Sequence, residues 1–396
     1  MALSKKMERV SPSMTMVVAE TARQMKARGV DVISFSTGEP DYNTPEPVKE
    51  AGIQAIRDNF TKYCTANGIP ELKQAICRKL KRDNGLDYEP SNIVVANGAK
   101  QIIFQACGIL LDEGDQVIIP TPCWVSYVEQ VKLFGGEPVL VPCKEENNFR
   151  LTADIVEAAI TPRTKALILC TPNNPTGAII QEEELRKIAD LAVKHDFYVI
   201  SDEVYENLAF DGQKNVSIAS LGSEIKERTL TVNSLSKTYC MTGWRVGYLA
   251  ASKEVAKAMS AVHGHVTGNV NAPSQKAAAF ALDHIFDFTE MCRDYEQRRN
   301  AVLERLAKIP GLTVTHPDGA FYVFPNVKSY FGKSCNGVTV NSSSDMANYL
   351  LQEAHVALVP GEAFEMPGYI RITFAVDMNK VNEGLDRIDA ALAKLH

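Results

Sequence analysis

Short runs of consecutive apolar residues recur through the first part of the chain, separated by turn residues and, in places, by segments of helical periodicity. They are I-V-V-A at 93–96, Q-V-I-I-P at 116–120, P-V-L-V at 138–141, K-A-L-I-L-C at 165–170, F-Y-V-I at 197–200, T-L-T-V at 229–232 and R-V-G-Y-L-A at 245–250. Apolar residues at consecutive rather than alternate positions mean that both faces of a strand are covered, as in a parallel sheet between helix layers. The segment 182–195, E-E-E-L-R-K-I-A-D-L-A-V-K-H, places Leu185, Ile188, Leu191 and Ala192 three and four residues apart, which predicts a helix with one buried face. The expected fold class is therefore α/β, a mostly parallel seven-stranded sheet covered by helices. Ligand sites in such sheets lie beyond the carboxyl ends of the strands.

The pattern changes near residue 286. From there to about 308 the charged segment ending R-L-A-K predicts one long helix that stops before Pro310. Beyond it come L-T-V-T-H, F-Y-V-F-P, V-A-L-V-P and Y-I-R-I-T-F-A-V with helical stretches between them, the pattern of a smaller α+β domain. The polar stretch S-C-N-G-V-T-V-N-S-S-S at 334–344 reads as a flexible loop.

Composition narrows the function. The 396 residues are 45% hydrophobic and 23% charged with a formal charge of -6, which gives no basic footprint for nucleic acid. Nine cysteines, at 64, 77, 107, 123, 143, 170, 240, 292 and 335, show no C-x-x-C spacing and read as thiols in a reducing compartment. The opening M-A-L-S-K-K-M-E-R-V lacks the apolar core of a signal peptide, and no run of eighteen apolar residues occurs. A cytoplasmic protein with no membrane partner is expected.

Chemistry gathers where strands end. G-A-K-Q at 98–101 follows one strand and opens a helix, so the N–H groups of Ala99 and Lys100 could bind an anion, although a glycine there also serves a plain turn. T-P-N-N-P-T-G at 171–177 is a turn by composition, yet it places the Asn174 amide at a strand end, with an unusual geometry, even a cis bond, conceivable before Pro175. In S-D-E-V-Y at 201–205, Asp202 is either a helix cap or a buried carboxylate in need of a cation, with the Tyr205 phenol close by. N-S-L-S-K-T-Y-C-M-T-G-W-R at 233–245 is either a solvated loop or a phosphate site in which Ser234, Ser236 and Arg245 hold the anion and Lys237 is an amine nucleophile toward a carbonyl. Arg371 alternates with apolar residues, beyond P-G-E-A-F at 360–364, and points either to solvent or to a buried carboxylate.

Together these blocks closely resemble the class I aminotransferases, the aspartate aminotransferase superfamily of pyridoxal phosphate (PLP) enzymes of fold type I. The resemblance runs from G-E-P-D-Y-N-T-P at 38–45 through Y-C-T-A-N-G at 63–68, P-C-W at 122–124, N-P-T-G, S-D-E-V-Y and S-L-S-K-x-x-x-x-x-G-x-R to R-I-T-F-A. It implies that Lys237 bonds covalently to PLP and moves a proton, work worth roughly 10²–10⁴-fold. Asp202 would pair with the pyridine nitrogen, and Tyr205 and Asn174 with the ring oxygen. Ser234, Ser236, Arg245 and the N–H groups of Ala99 and Lys100 would take the phosphate, while Trp124 stacks on the ring. Arg371 would clamp the substrate carboxylate, helped by Asn174 and the backbone at Gly38. Tyr63 would reach the phosphate of a neighbouring subunit, which implies a homodimer with sites at its interface. The implied domains are residues 1–45 as an N-terminal arm and part of the small domain, 46–295 as the large PLP-binding domain and 296–396 as the small C-terminal domain, which could close over bound substrate.

Specificity is less sharply marked. The segment H-G-H-V-T-G-N-V-N-A-P at 263–273 lacks the arginine with which animal and enteric aspartate aminotransferases bind a distal carboxylate. The bacterial aspartate and prephenate aminotransferases resemble this chain more closely and use a lysine beside the phosphate loop, which Lys100 matches. Cys123 stands where that subgroup commonly has an aromatic residue, and His263 and His265 either touch ligand or line a helix end. Aspartate or glutamate is the expected amino donor, with aromatic amino acids or methionine as alternatives. A carbon–sulfur lyase of the same fold would share every cofactor residue. A PLP-sensing transcription regulator would need a separate DNA-binding domain ahead of these blocks.

Overall fold

The computed structural model describes residues 4–284 and 286–396; of the expected N-terminal arm, residues 1–3 lie outside the described residues. A short strand, β1 (Ile33–Ser34), precedes the main sheet. The next seven form that sheet: β2 (Ile93–Ala96), β3 (Gln116–Thr121), β4 (Glu137–Pro142), β5 (Thr164–Cys170), β6 (Tyr198–Asp202), β7 (Thr229–Ser234) and β8 (Gly247–Ala250). Their order is β2-β8-β7-β6-β5-β3-β4. Only β8 runs against its neighbours, pairing antiparallel with both β2 and β7.

The two faces of each strand reach different cores. Ile118, Leu167, Leu169 and Val199 pack beneath the helix Glu182–His195, with Leu185, Ile188 and Ala192. Val117, Ile119, Ala166, Ile168 and Ile200 face the other way and pack with Ile102, Ile103 and Ala106 of the helix Ala99–Leu110. Each fully buried valine, leucine or isoleucine among them contributes about 1.5–3 kcal/mol by leaving water. The helix Glu182–His195 opens on three glutamates and ends on Lys194 and His195, charges that suit the two ends of its dipole.

The reversal of β8 matters for the site. The carboxyl ends of β2, β5, β6 and β7 share one edge of the sheet, and an antiparallel β8 brings its amino end to that same edge. Sequence periodicity places Arg245 inside the last strand. Instead it precedes that strand in the left-handed region, at φ 58°, and so stands beside Ser234 at the functional edge.

The remaining strands belong to a second group: β9 (Tyr322–Val323), β10 (Ser334–Cys335), β11 (Val338–Thr339), β12 (Val356–Ala357), β13 (Val359–Pro360) and β14 (Ile370–Thr373). β13, β14 and β9 form an antiparallel sheet, and β1 pairs in parallel with β12. Around them Ile33, Phe35, Tyr322, Val356, Ile372 and Leu385 build a separate core. The long helix runs Thr289–Leu306, close to its expected span. Two expectations are corrected. The polar stretch from 334 carries the β10–β11 hairpin, with Gly337 at φ 78° in its turn. L-T-V-T-H makes only a single bridge, Thr313 to Asn326, in place of a strand.

Candidate active site

A cavity of about 620 Å³ opens at the carboxyl edge of the main sheet, walled on the far side by Tyr322, Arg371 and the segment Ser36–Glu39. Gly38, Ala99, Lys100, Trp124, Asn174, Asp202, Tyr205, Ser234, Ser236, Lys237, Arg245 and Arg371 all line it, and Tyr63 does not. Tyr63 is 98% exposed on this single chain. His263 is buried against Gln105 and His265 is exposed; neither lines the cavity, nor does Cys123.

Asp202 ends β6 and is 4% exposed. The Tyr127 phenol donates to its Oδ2 at 2.6 Å, while its Oδ1 is buried without a partner. Burial raises its pKa to about 6, against the hydrogen bond from Tyr127 that favours the anion. A buried carboxylate with one oxygen free is a receptor for a cationic N–H donor. The alternative, a helix cap, is not its role, since no helix begins at Asp202.

Lys237 lies on the loop after β7 and donates its Nζ to the Gly38 carbonyl. Its ammonium stands 5.6 Å from the Tyr205 ring and 5.7 Å from the Phe321 ring. Burial, reinforced by the positive charge of Arg371, pushes its pKa down to about 8, although Glu39 and Asp202 pull upward. Such a lysine has a much larger share of nucleophilic free amine near neutrality than an exposed one.

Arg371, on β14, is 3% exposed. Its Nη1 donates to Asn174 Oδ1 at 2.9 Å and its Nη2 to the Ser36 carbonyl at 2.7 Å, while its Nε has no partner. The guanidinium lies 4.4 Å from the Tyr322 ring and 5.1 Å from that of Phe364. Among the described residues no carboxylate pairs with it, so a buried cation is left to meet an external anion. The Tyr322 hydroxyl is in turn 2.9 Å from that of Tyr205, whose pKa burial pushes well above the ordinary phenol range.

The other end of the cavity is an anion cradle. The helix Ala99–Leu110 begins there without a side-chain cap, so its first N–H groups are available to a ligand. Ser234, Ser236 and Arg245 surround it. Arg245 donates to the carbonyls of Thr242 and Asn97 at 2.8 and 3.0 Å and pairs with no carboxylate among the described residues. Gly98 and Gly247 make the close approach possible. A Cβ on the first would fall 2.5 Å from Arg245 Nη2, and one on the second 2.6 Å from the Ala99 nitrogen. Lys100 lies 4.8 Å from the Trp124 ring, which meets Tyr127 edge-on at 5.3 Å. Four cations and two carboxylates line the cavity, a balance suited to ligands carrying several negative charges.

Sequence reasoning missed Tyr127 and Tyr322. Tyr127 stands three residues after Trp124 and Tyr322 lies within an aromatic strand, so spacing held a weak signal for both. Thr15, Met16 and Ala19 of the helix Met14–Ala27 also reach the cavity, and nothing in their local pattern announces it. The cis bonds are Thr121–Pro122 and Thr171–Pro172; the bond before Pro175, expected as a candidate, is not among them. In P-G-E-A-F the glycine is steric, since a Cβ on Gly361 would meet the Met366 carbonyl at 2.1 Å.

A family model described as aminotransferase class I and II matches residues 30–388. The chain belongs to this family. It is 43% identical to a probable aspartate/prephenate aminotransferase of Aquifex aeolicus over 99% of both chains. The aspartate aminotransferase of Rhizobium meliloti superposes with a TM-score of 0.96 at 41% identity, covering 100% of each chain. That of Thermus thermophilus with maleate gives 0.91 at 39% identity, covering 99% of this chain and 100% of the other. The molecule is an aminotransferase of the fold its sequence resembles, and enzymes of this family are generally PLP-dependent. In this aminotransferase the free oxygen of Asp202, the uncapped helix start and the glycine-lined cradle fit that cofactor's ring nitrogen and phosphate.

Proposed function

We propose that this aminotransferase binds PLP in the cavity and moves the amino group of aspartate or glutamate to a 2-oxo acid. The observation that carries the reading is the placement of Lys237, a buried amine with lowered pKa, in one cavity with the half-satisfied Asp202 and the unpaired Arg371. Ser234, Ser236, Arg245 and the N–H groups of Ala99 and Lys100 hold the phosphate. Asp202 Oδ1 would accept from the pyridine N–H, and Tyr205, Asn174 and Trp124 would hold the ring. PLP, when bound, supplies an electron sink conjugated to the substrate Cα.

The protein residues supply position and proton transfer. Arg371 grips the α-carboxylate through two parallel hydrogen bonds, assisted by Asn174 and the backbone at Gly38. Lys237 Nζ takes the proton from Cα, as general base, and returns it as acid. The structural relative with maleate supports a dicarboxylic substrate here, with Lys100 at the distal carboxylate. We assign residues 1–45 to an N-terminal arm and part of a small domain completed by residues 296–396, which closes over the large domain of residues 46–295 and excludes water. The β1–β12 pairing, which ties the Gly38 segment to the strands around Arg371, supports this division. Two copies assemble with Tyr63 of each serving the other's cradle, which its exposure on the single chain favours. The nine cysteines, all free, suit a reducing cytoplasm.

An absorbance spectrum of the PLP-loaded protein tests this. Its long-wavelength band should be replaced by a shorter-wavelength pyridoxamine band on adding aspartate, and restored by 2-oxoglutarate. A band indifferent to aspartate and glutamate but bleached by aromatic amino acids or methionine would remove the dicarboxylic assignment and keep the transaminase.

A further inference from the structure

A buried charge pair lies behind the cradle. Lys79, on the helix Pro70–Asn84, and Glu206, four residues after Asp202, form an ion pair with side chains only 2% and 8% exposed. Glu206 Oε1 accepts from Lys79 and from Asn233 Nδ2, the latter at 2.6 Å, and Oε2 accepts from Asn84 Nδ2 at 2.7 Å. Lys79 also donates to Asn84 Oδ1 at 2.8 Å. Such a pair is a poor source of stability, since well-packed apolar residues of similar size often serve as well or better. The hydrogen bonds show a different use.

Asn233 is the penultimate residue of β7. With its Nδ2 held by Glu206, its Oδ1 accepts from the Ser234 N–H at 2.7 Å, and Ser234 Oγ accepts from the Ser236 N–H at 3.3 Å. Lys237 follows directly. Glu206 itself sits on the turn that follows Asp202 at the end of β6 and carries Tyr205. One carboxylate thus ties the loop under the ring nitrogen to the turn at the phosphate.

We propose that Glu206, held by Lys79 and acting through Asn233, is the positioning residue that shapes the Ser234–Lys237 turn for phosphate and registers it against Asp202. The inference rests on the reading that this cradle takes the cofactor's phosphate. The carboxylate is essential because Asn233 must present its N–H to one side and its carbonyl to the other. A glutamine at 206 could offer an N–H instead and turn that amide around.

The test measures binding by the cofactor-free protein, followed by tryptophan fluorescence, with three probes: PLP, inorganic phosphate and pyridoxal, which lacks the phosphate. Glu206→Gln and the paired change Lys79→Met with Glu206→Met, which removes both charges together, should weaken PLP and phosphate about tenfold or more, as supporting partners of a site typically do. Pyridoxal affinity and the melting temperature of the paired variant should hold. Arg245→Gln serves as the control for the cradle. If it weakens phosphate while the paired variant does not, the inference falls and the functional reading stands. If neither weakens phosphate, the cradle reading fails and takes the inference with it. Equal losses for PLP and pyridoxal, with a lowered melting temperature in the paired variant, would show a merely structural pair and overturn the proposal.

Discussion

The phenol of Tyr127 holds one oxygen of Asp202 at 2.6 Å and leaves the other, equally buried, with nothing to accept from. The arrangement fixes which oxygen is free and where it points. Asp202→Asn should retain the fold and lower kcat by roughly 10²–10⁴-fold, since an amide cannot stabilise a protonated ring nitrogen. Tyr127→Phe, which frees the second oxygen as well, should cost far less. Single-turnover kinetics with aspartate separate the two, and equal losses would contradict the division of labour.

Removing the amine is more severe. Lys237→Ala should abolish the long-wavelength absorbance band of the PLP-loaded protein and reduce turnover by at least about 10²-fold. Added small amines should restore part of the rate, and a variant that kept the band would place the nucleophile elsewhere.

The lowered pKa of Lys237 gives a pH dependence with a definite sign. Only the neutral amine attacks the PLP aldehyde, so the rate of PLP uptake by the cofactor-free protein should rise as pH climbs toward about 8 and level off above it. A rate still climbing well beyond pH 8 would mean an ordinary lysine. The unfolded chain holds this proton more tightly than the fold does. Between pH 10.5 and about 8, Lys237 therefore makes the cofactor-free protein less stable as pH falls.

Arg371 is buried and meets no carboxylate among the described residues. Replacing it by glutamine should reduce kcat/KM for amino acids by about 2–5 kcal/mol, mostly through KM. Arg371→Lys should recover only part of this, because a lysine cannot make two parallel bonds in the plane of a carboxylate. Steady-state kinetics on both variants decide the point.

Lys100 tests the substrate class. Lys100→Met should raise KM for aspartate and glutamate and leave the aromatic amino acids and methionine nearly unaffected. Equal effects on both groups would mean that Lys100 serves the cofactor alone.

Much of this site was legible because its residues sit where a strand ends, and strand ends announce themselves by the switch from apolar to turn residues. Asp202, Asn174 and Ser234 were found in that way. Arg245 was found but misplaced, because periodicity along one strand cannot show that the strand runs against its neighbours. The hairpin at Ser334–Thr339 was hidden by its polarity: Val338 and Thr339 are exposed, so no apolar alternation marked it. Tyr322 went unnoticed because aromatic residues in a strand usually fill a core, and this one does so while also facing the ligand cavity. Met16 reaches the cavity from a helix remote in sequence, a contact that only the tertiary fold creates.

The pairing of Ser34 with Ala357 joins positions about 320 residues apart. On a ribosome adding roughly 5–20 residues per second, the segment that carries Gly38 emerges on the order of 15–60 s before its partner strand exists. The main sheet, complete by Ala250, can form in the interval, but the wall of the cavity that holds Arg371 cannot. A half-made chain thus carries the residues of the anion cradle well before it carries Arg371.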